Sequence, residues 1–148
     1  MSNAFPAILG IPKIAGRAVV RLIGLPALVG ALLLGLACAG EAARVEVDLI
    51  EWAVRPSVTT VAAGRVRFVA YNRSTSGMVH ELELLAVRPD GQRVPVAEVE
   101  DVAPGERKSF TARLKPGTYE LACLIAAGEG GSPVDHYQAG MHVTLTVR

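Results

Sequence analysis

Cysteine is nearly absent: Cys38 and Cys123 are the two in a chain of 148 residues. That excludes a miniprotein stapled by several disulfides and a zinc site built from four thiolates. A surplus of one charge is missing as well. Fifteen basic residues against 14 acidic ones leave a net charge of +1, short of the concentrated basic surface a nucleic-acid binder needs. Histidine occurs three times, at positions 80, 136 and 142. Neither a Ser-His-Asp spacing nor a phosphate-cradling glycine loop is present. Acid is missing from residues 1–40, which hold Lys13, Arg17 and Arg21, so the remainder carries the other 12 basic residues and all 14 acids.

Those first forty residues read as an address. Residues 22–39, LIGLPALVGALLLGLACA, are 18 apolar positions behind three positive charges. A positive start, an apolar stretch and small residues at its end describe an export signal, with Ala37-Cys38-Ala39 as an A-x-A cleavage pattern. Two other readings stand beside simple cleavage. Cys38 could become a lipidated first residue, with Leu36 one place off the usual pattern, or the run could remain as an uncleaved membrane anchor. Each places residues 41–148 outside the cytoplasm, as one domain.

After Gly40 the apolar period becomes two, which marks half-buried strands. Strands are expected at 44–51, 65–71, 80–88, 107–114, 118–124 and 141–148. Val45, Val47 and Leu49 share one face in the first, and His80, Leu82, Leu84 and Ala86 in the third. Turn signals separate them: Ala-Gly at 63–64, Pro-Asp-Gly at 89–91, and Pro-Gly at 104–105 and 116–117. About seven strands in one domain predict an all-β, antiparallel Greek-key β-sandwich. The tract 126–135, AAGEGGSPVD, reads as a flexible loop.

Parity then gathers the chemistry. His80 starts a strand on its apolar face, Cys123 ends one, and Met141 begins the last one, with His136 in the loop before it. His142 shares the outward parity of Thr144 and Thr146, and Met78 is a spare thioether in the loop before His80. Taken singly, Cys123 and Met141 are ordinary core residues and His80 an interior histidine. Taken in the order His…Cys…His-x4-Met, they offer two imidazoles, a thiolate and a weak axial thioether, the donor set of a blue-copper electron-transfer centre.

The domain resembles the cupredoxins, the plastocyanin/azurin/sulfocyanin-like blue-copper family, over residues 45–148. Val54 to Phe68 is similar to that family's opening strands, P-x-x-x-x-V-x-A-G-x-V-x-F. Asn72 followed by Met78-Val79-His80-Glu81-Leu82 resembles the stretch with its first ligand histidine. Pro116-Gly117-Thr118-Tyr119-Glu120-Leu121-Ala122-Cys123 resembles the strand with its ligand cysteine. His136-Tyr137-Gln138-Ala139-Gly140-Met141 resembles its closing H-Y-x-A-G-M. The resemblance implies His80, Cys123 and His136 as strong ligands of one copper ion and Met141 as the axial one. It departs in one place. Family members put two to four residues between the cysteine and the second histidine, whereas twelve, Leu124 to Asp135, stand here. This Gly-rich insertion is expected to bulge outward as a mobile loop, leaving His136 at an exposed edge.

Four functions compete on these grounds. One is a monomeric type-1 copper electron carrier, exported and working with an unidentified redox protein. Another is a copper storage or delivery protein using the same ligands, and a third is a binding domain that has lost its metal. An enzyme is the weakest reading: three histidines cannot furnish the extra His-x-His pairs of a multicopper oxidase, and Cys38 lies in the export segment.

Overall fold

The computed structural model describes residues 42–148. The export or anchor readings of residues 22–39, the lipidation of Cys38 and the domain boundary at residue 40 lie outside the described residues. Among the described residues no helix is long and apolar enough to cross a membrane.

Two sheets form the expected sandwich. The first has strand order β2-β1-β4-β7, from β1 (Ala43–Ile50), β2 (Ala53–Pro56), β4 (Gly64–Asn72) and β7 (Arg107–Leu114). The second has order β3-β9-β8-β5-β6, from β3 (Thr60–Val61), β5 (His80–Val87), β6 (Arg93–Val102), β8 (Gly117–Ala122) and β9 (His142–Val147). Period-two sequence becomes period-two burial. Val45, Val47, Leu49, Val66, Phe68, Ala70, Leu82, Leu84, Leu121 and Leu145 are all fully buried between the sheets. Each Val, Leu or Phe so buried contributes about 1.5–3 kcal/mol.

Two details differ from the sequence reading. The sheets are not wholly antiparallel, since β1 pairs in parallel with β4, and β3 with β9. Parallel neighbours need a long crossover, and the chain provides one by leaving β1 through β2 and β3 before it returns as β4. The strand β6 was also not expected. It is a sheet edge, mostly exposed and carrying Pro95, so it shows neither a buried face nor a full hydrogen-bond ladder to read from sequence.

The fold places β5 beside β8 and β8 beside β9, with Leu84 opposite Leu121 and Ala122 opposite His142. The start of β5, the residue after β8 and the residue before β9 therefore lie at one end of the second sheet. That end is where His80, Cys123 and Met141 fall.

Candidate metal centre

His80 is fully buried at the first position of β5. The loop before it is set by Asn72, itself fully buried. Its Nδ2 donates to the carbonyls of Met78 (2.8 Å) and Val102 (2.7 Å), and its Oδ1 accepts from the backbone N–H of Ser74 (2.8 Å). One amide side chain thus ties the end of β4, the 74–78 loop and the end of β6 together just ahead of His80.

Cys123 follows the last residue of β8 and is fully buried. Its backbone N–H donates to the carbonyl of Met141 (2.9 Å), and its Sγ accepts from the N–H of Glu81 (3.4 Å). The Glu81 carboxylate accepts in turn from the N–H of Leu124 (2.7 Å). Glu81, next to one imidazole, so brackets the thiol on both sides.

His136 and Met141 are fully buried as well. The Met141 N–H donates to the His136 carbonyl (3.0 Å), closing the turn between them. Gly140 is needed in that turn: its φ is +114°, and a Cβ there would sit 3.3 Å from the Trp52 carbonyl oxygen. The Trp52 ring meets His136 edge-on, with centroids 5.2 Å apart.

The three side chains converge through specific atoms. His136 Nδ1 lies 3.2 Å from Cys123 Sγ and 3.2 Å from His80 Nδ1, and Cys123 Sγ lies 4.0 Å from His80 Nδ1. Metal–nitrogen and metal–sulfur bonds of about 2.0–2.3 Å around a common centre give ligand-to-ligand separations of about 3.6 Å, which these three distances straddle. Burial pulls the His80 imidazolium down to about 4, helped by His136, and pulls His136 down too. Both rings are therefore neutral, with lone pairs to offer. Burial pushes the Cys123 thiol up to about 11, against hydrogen bonds from the Glu81 and Ile125 backbone. A thiol so placed would keep its proton until a metal cation bound the sulfur and displaced that proton to solvent. His80 Nε2 is the one buried side-chain nitrogen or oxygen without a partner among the described residues. Two imidazole nitrogens and a sulfur, short of protons to share, fit a soft-to-borderline metal ion such as copper.

All four residues singled out in the sequence thus meet at one end, His80, Cys123 and His136 through donor atoms and Met141 through the backbone that joins it to Cys123 and His136. His142 is exposed, as its parity required. One expectation changes: His136 does not sit at an exposed edge but is fully buried. The insertion before it bulges outward as expected, and hydrogen bonds tie it together. The His136 N–H donates to the Ile125 carbonyl (2.9 Å), pinching the insertion at its base. Within it, the Ser132 N–H donates to the Glu129 carbonyl (2.9 Å) across a single 3-10 turn at Glu129–Gly131, and the Glu129 carboxylate accepts from the Ala126 N–H (3.1 Å). Leu124 and Ile125 are thus all that separates Cys123 from the pinch. Hydrogen bonds from glycine and serine backbone leave no periodic pattern, so composition alone marks this tract as a loop and gives no sign of its closure.

Two neighbours of the site were not anticipated. Ser132, in the insertion, lies 2.9 Å from His136 Nε2 through its Oγ. Trp52 packs edge-on against the His136 ring; the sequence signal for it was its being the one tryptophan in the chain. Outside the sheet, Tyr137 donates to Glu120 (3.0 Å), which also holds Arg93 (2.7 Å), so the residue after His136 is moored to β8 and β6.

Comparison with known proteins bears on the family and the fold. The sequence profile of the cupredoxin-like domain matches residues 25–130. Among curated proteins, the iron uptake system component EfeO of Escherichia coli strain K12 is 34% identical over 96 residues, 65% of this chain and 24% of that protein. Its counterpart in Yersinia pseudotuberculosis serotype I is 32% identical over 93 residues, 63% of this chain and 23% of that protein. The chain spans about a quarter of the length of these relatives. Among solved structures, auracyanin B superposes with a TM-score of 0.51 at 27% identity, covering 72% of this chain and 89% of that one. Auracyanin A, a "blue" copper protein from Chloroflexus aurantiacus, superposes at 0.50 and 19% identity, covering 73% of this chain and all of that one, which speaks to the fold alone.

Proposed function

The chain belongs to the cupredoxin-like domain family, and from that premise we propose that it is a type-1 copper protein passing single electrons, with His80, Cys123 and His136 as strong ligands and Met141 as the axial one. The observation that carries this reading is the convergence of two buried, neutral imidazole Nδ1 atoms and one buried thiol within 4.0 Å of one another. Bound copper would supply the electron by alternating between Cu(I) and Cu(II).

The chain's own residues do the rest. Thiolate and thioether favour Cu(I), while the imidazoles also suit Cu(II), so a fixed set serving both need reorganise little. Asn72 holds the loop ahead of His80, Glu81 bonds the Cys123 sulfur and the N–H of Leu124 after it, and the Gly140 turn holds Met141 beside them. Full burial of all four keeps water out. The setting proposed is extracytoplasmic, with residues 1–40 as export signal or anchor, and the partner a redox protein meeting a monomer.

A titration of the full chain with Cu(II), followed in the visible, tests this. One equivalent should give an intense thiolate-to-copper charge-transfer band; pale Cu(II) or no binding refutes it. The EfeO relatives, named as components of iron uptake, favour a second reading in which the same residues hold a metal for delivery. Under that reading Cu(I) binds tightly and Cu(II) gives no strong colour.

A further inference from the structure

The His136 ring has two nitrogens with different duties. Nδ1 faces Cys123 Sγ and His80 Nδ1, each at 3.2 Å. Nε2 lies 2.9 Å from Ser132 Oγ, and Ser132 is 6% exposed although it belongs to a surface insertion. What that contact means follows from counting protons. Ser132 Oγ is also 2.8 Å from the Val134 carbonyl oxygen, which only accepts, so the hydroxyl proton is committed there. The Val134 N–H points back at the same oxygen at 3.3 Å. With its one proton used, Ser132 Oγ has lone pairs alone for His136, and Nε2 must be the donor. The neutral ring then carries its proton on Nε2 and a bare lone pair on Nδ1.

We propose that Ser132 is a positioning residue that fixes His136 as its Nε2–H tautomer and aims Nδ1 at the Cys123–His80 pair before any metal arrives. The insertion is the device that delivers it. The His136-to-Ile125 hydrogen bond closes its base and the Glu129–Gly131 turn folds it back, which brings the hydroxyl to a ring four residues further along the chain. Partners of this kind on the second nitrogen of a ligand histidine set both tautomer and ring orientation. Extra length in the loop is therefore what seals and orients the second histidine. The inference rests on His136 being a metal ligand, but the tautomer exists without the metal and is read without it.

The test uses the full chain labelled with 15N-histidine, stripped of metal. Long-range 1H–15N correlations assign each ring's proton, and the same sample gives the exchange rate of the His136 Hε2. The wild type should show the Nε2–H pattern with a slowly exchanging proton. Ser132→Ala should mix the two tautomers and speed that exchange at least tenfold, and Ser132→Thr, which keeps the hydroxyl, should restore the wild-type pattern. In a second arm Ser132→Ala should lower Cu(II) affinity by about 10–100-fold, and Ser132→Thr should recover it. An Nδ1–H pattern for His136 in the wild type overturns the proposal, and that spectrum decides even if Ser132→Ala does not fold. An unchanged tautomer and exchange rate in a folded Ser132→Ala overturns it too. A wild type that shows the tautomer yet gives no charge-transfer band with Cu(II) refutes the copper reading and leaves the Ser132 assignment standing.

Discussion

The site has two halves, built by different means. His80 stands at the start of β5 and Cys123 just after β8, neighbouring strands whose ladder brings the two residues to one end of the sheet. His136 and Met141 come from the stretch between β8 and β9, where position depends on turns, single hydrogen bonds and side chains from elsewhere: the Ile125 carbonyl, Ser132, Trp52 and the Gly140 turn. Both halves are equally buried. Equal burial is thus reached in one half by many repeated ladder bonds and in the other by a few individual ones. The strand half should fail all at once, and the loop half piece by piece.

The strand half carries the largest expected effect. Cys123→Ser replaces a soft thiolate with a hard oxygen, and any visible charge-transfer band should vanish. A retained band would place the thiolate elsewhere.

Next is the amide that sets the approach to His80. Asn72→Ala leaves the Met78 and Val102 carbonyls unpaired in the interior and should cost about 2–4 kcal/mol in chemical unfolding. A cost under about 1 kcal/mol would show that the loop is held some other way.

In the loop half, Met141→Gln should keep copper but lower the reduction potential, because an oxygen donor favours Cu(II). Loss of copper would make Met141 a primary ligand and bring the site closer to one for delivery. Tyr137→Phe removes the hydroxyl that moors the loop to Glu120 and should cost about 0.5–1.5 kcal/mol without loss of copper. A larger loss would mean that the loop half is as cooperative as the strand half.

The smallest effect is electrostatic. Burial raises the Glu51 carboxyl, but hydrogen bonds from Ser74, Ser76 and its own backbone, with His80 nearby, outweigh it and hold the group at about 2, below its ordinary 4.5. A carboxyl depressed in the folded chain adds stability above its unfolded value and loses it as pH falls through the folded one. Glu51→Gln should therefore flatten the loss of stability of the metal-free chain between about pH 4.5 and pH 2. An unchanged slope would show that the Ser74 and Ser76 hydroxyls do not act on this carboxylate in solution.

The same division explains what could be read from the sequence. Alternation exposed β1, β4, β5, β7, β8 and β9, because each buries one face, and parity put His80, Cys123 and Met141 together at one end. The edge strand β6 buries too little to alternate, and β2 and β3, four and two residues long, are too short to show a period. The parallel pairing of β1 with β4 is a property of topology that no local pattern carries. The residues of the insertion were legible, but its closure was not: composition marks glycine and serine as loop formers, and says nothing of a serine turned inward onto an imidazole.

The most direct test of the central claim, that two imidazoles and one thiolate are preset to hold one copper ion, is copper-edge X-ray absorption on the full chain in its Cu(I) and Cu(II) forms. The account predicts two nitrogen neighbours and one sulfur neighbour at about 2.0–2.3 Å in both forms, with little change between them. A first shell of nitrogen and oxygen without sulfur, or one that changes its members with oxidation state, would contradict it.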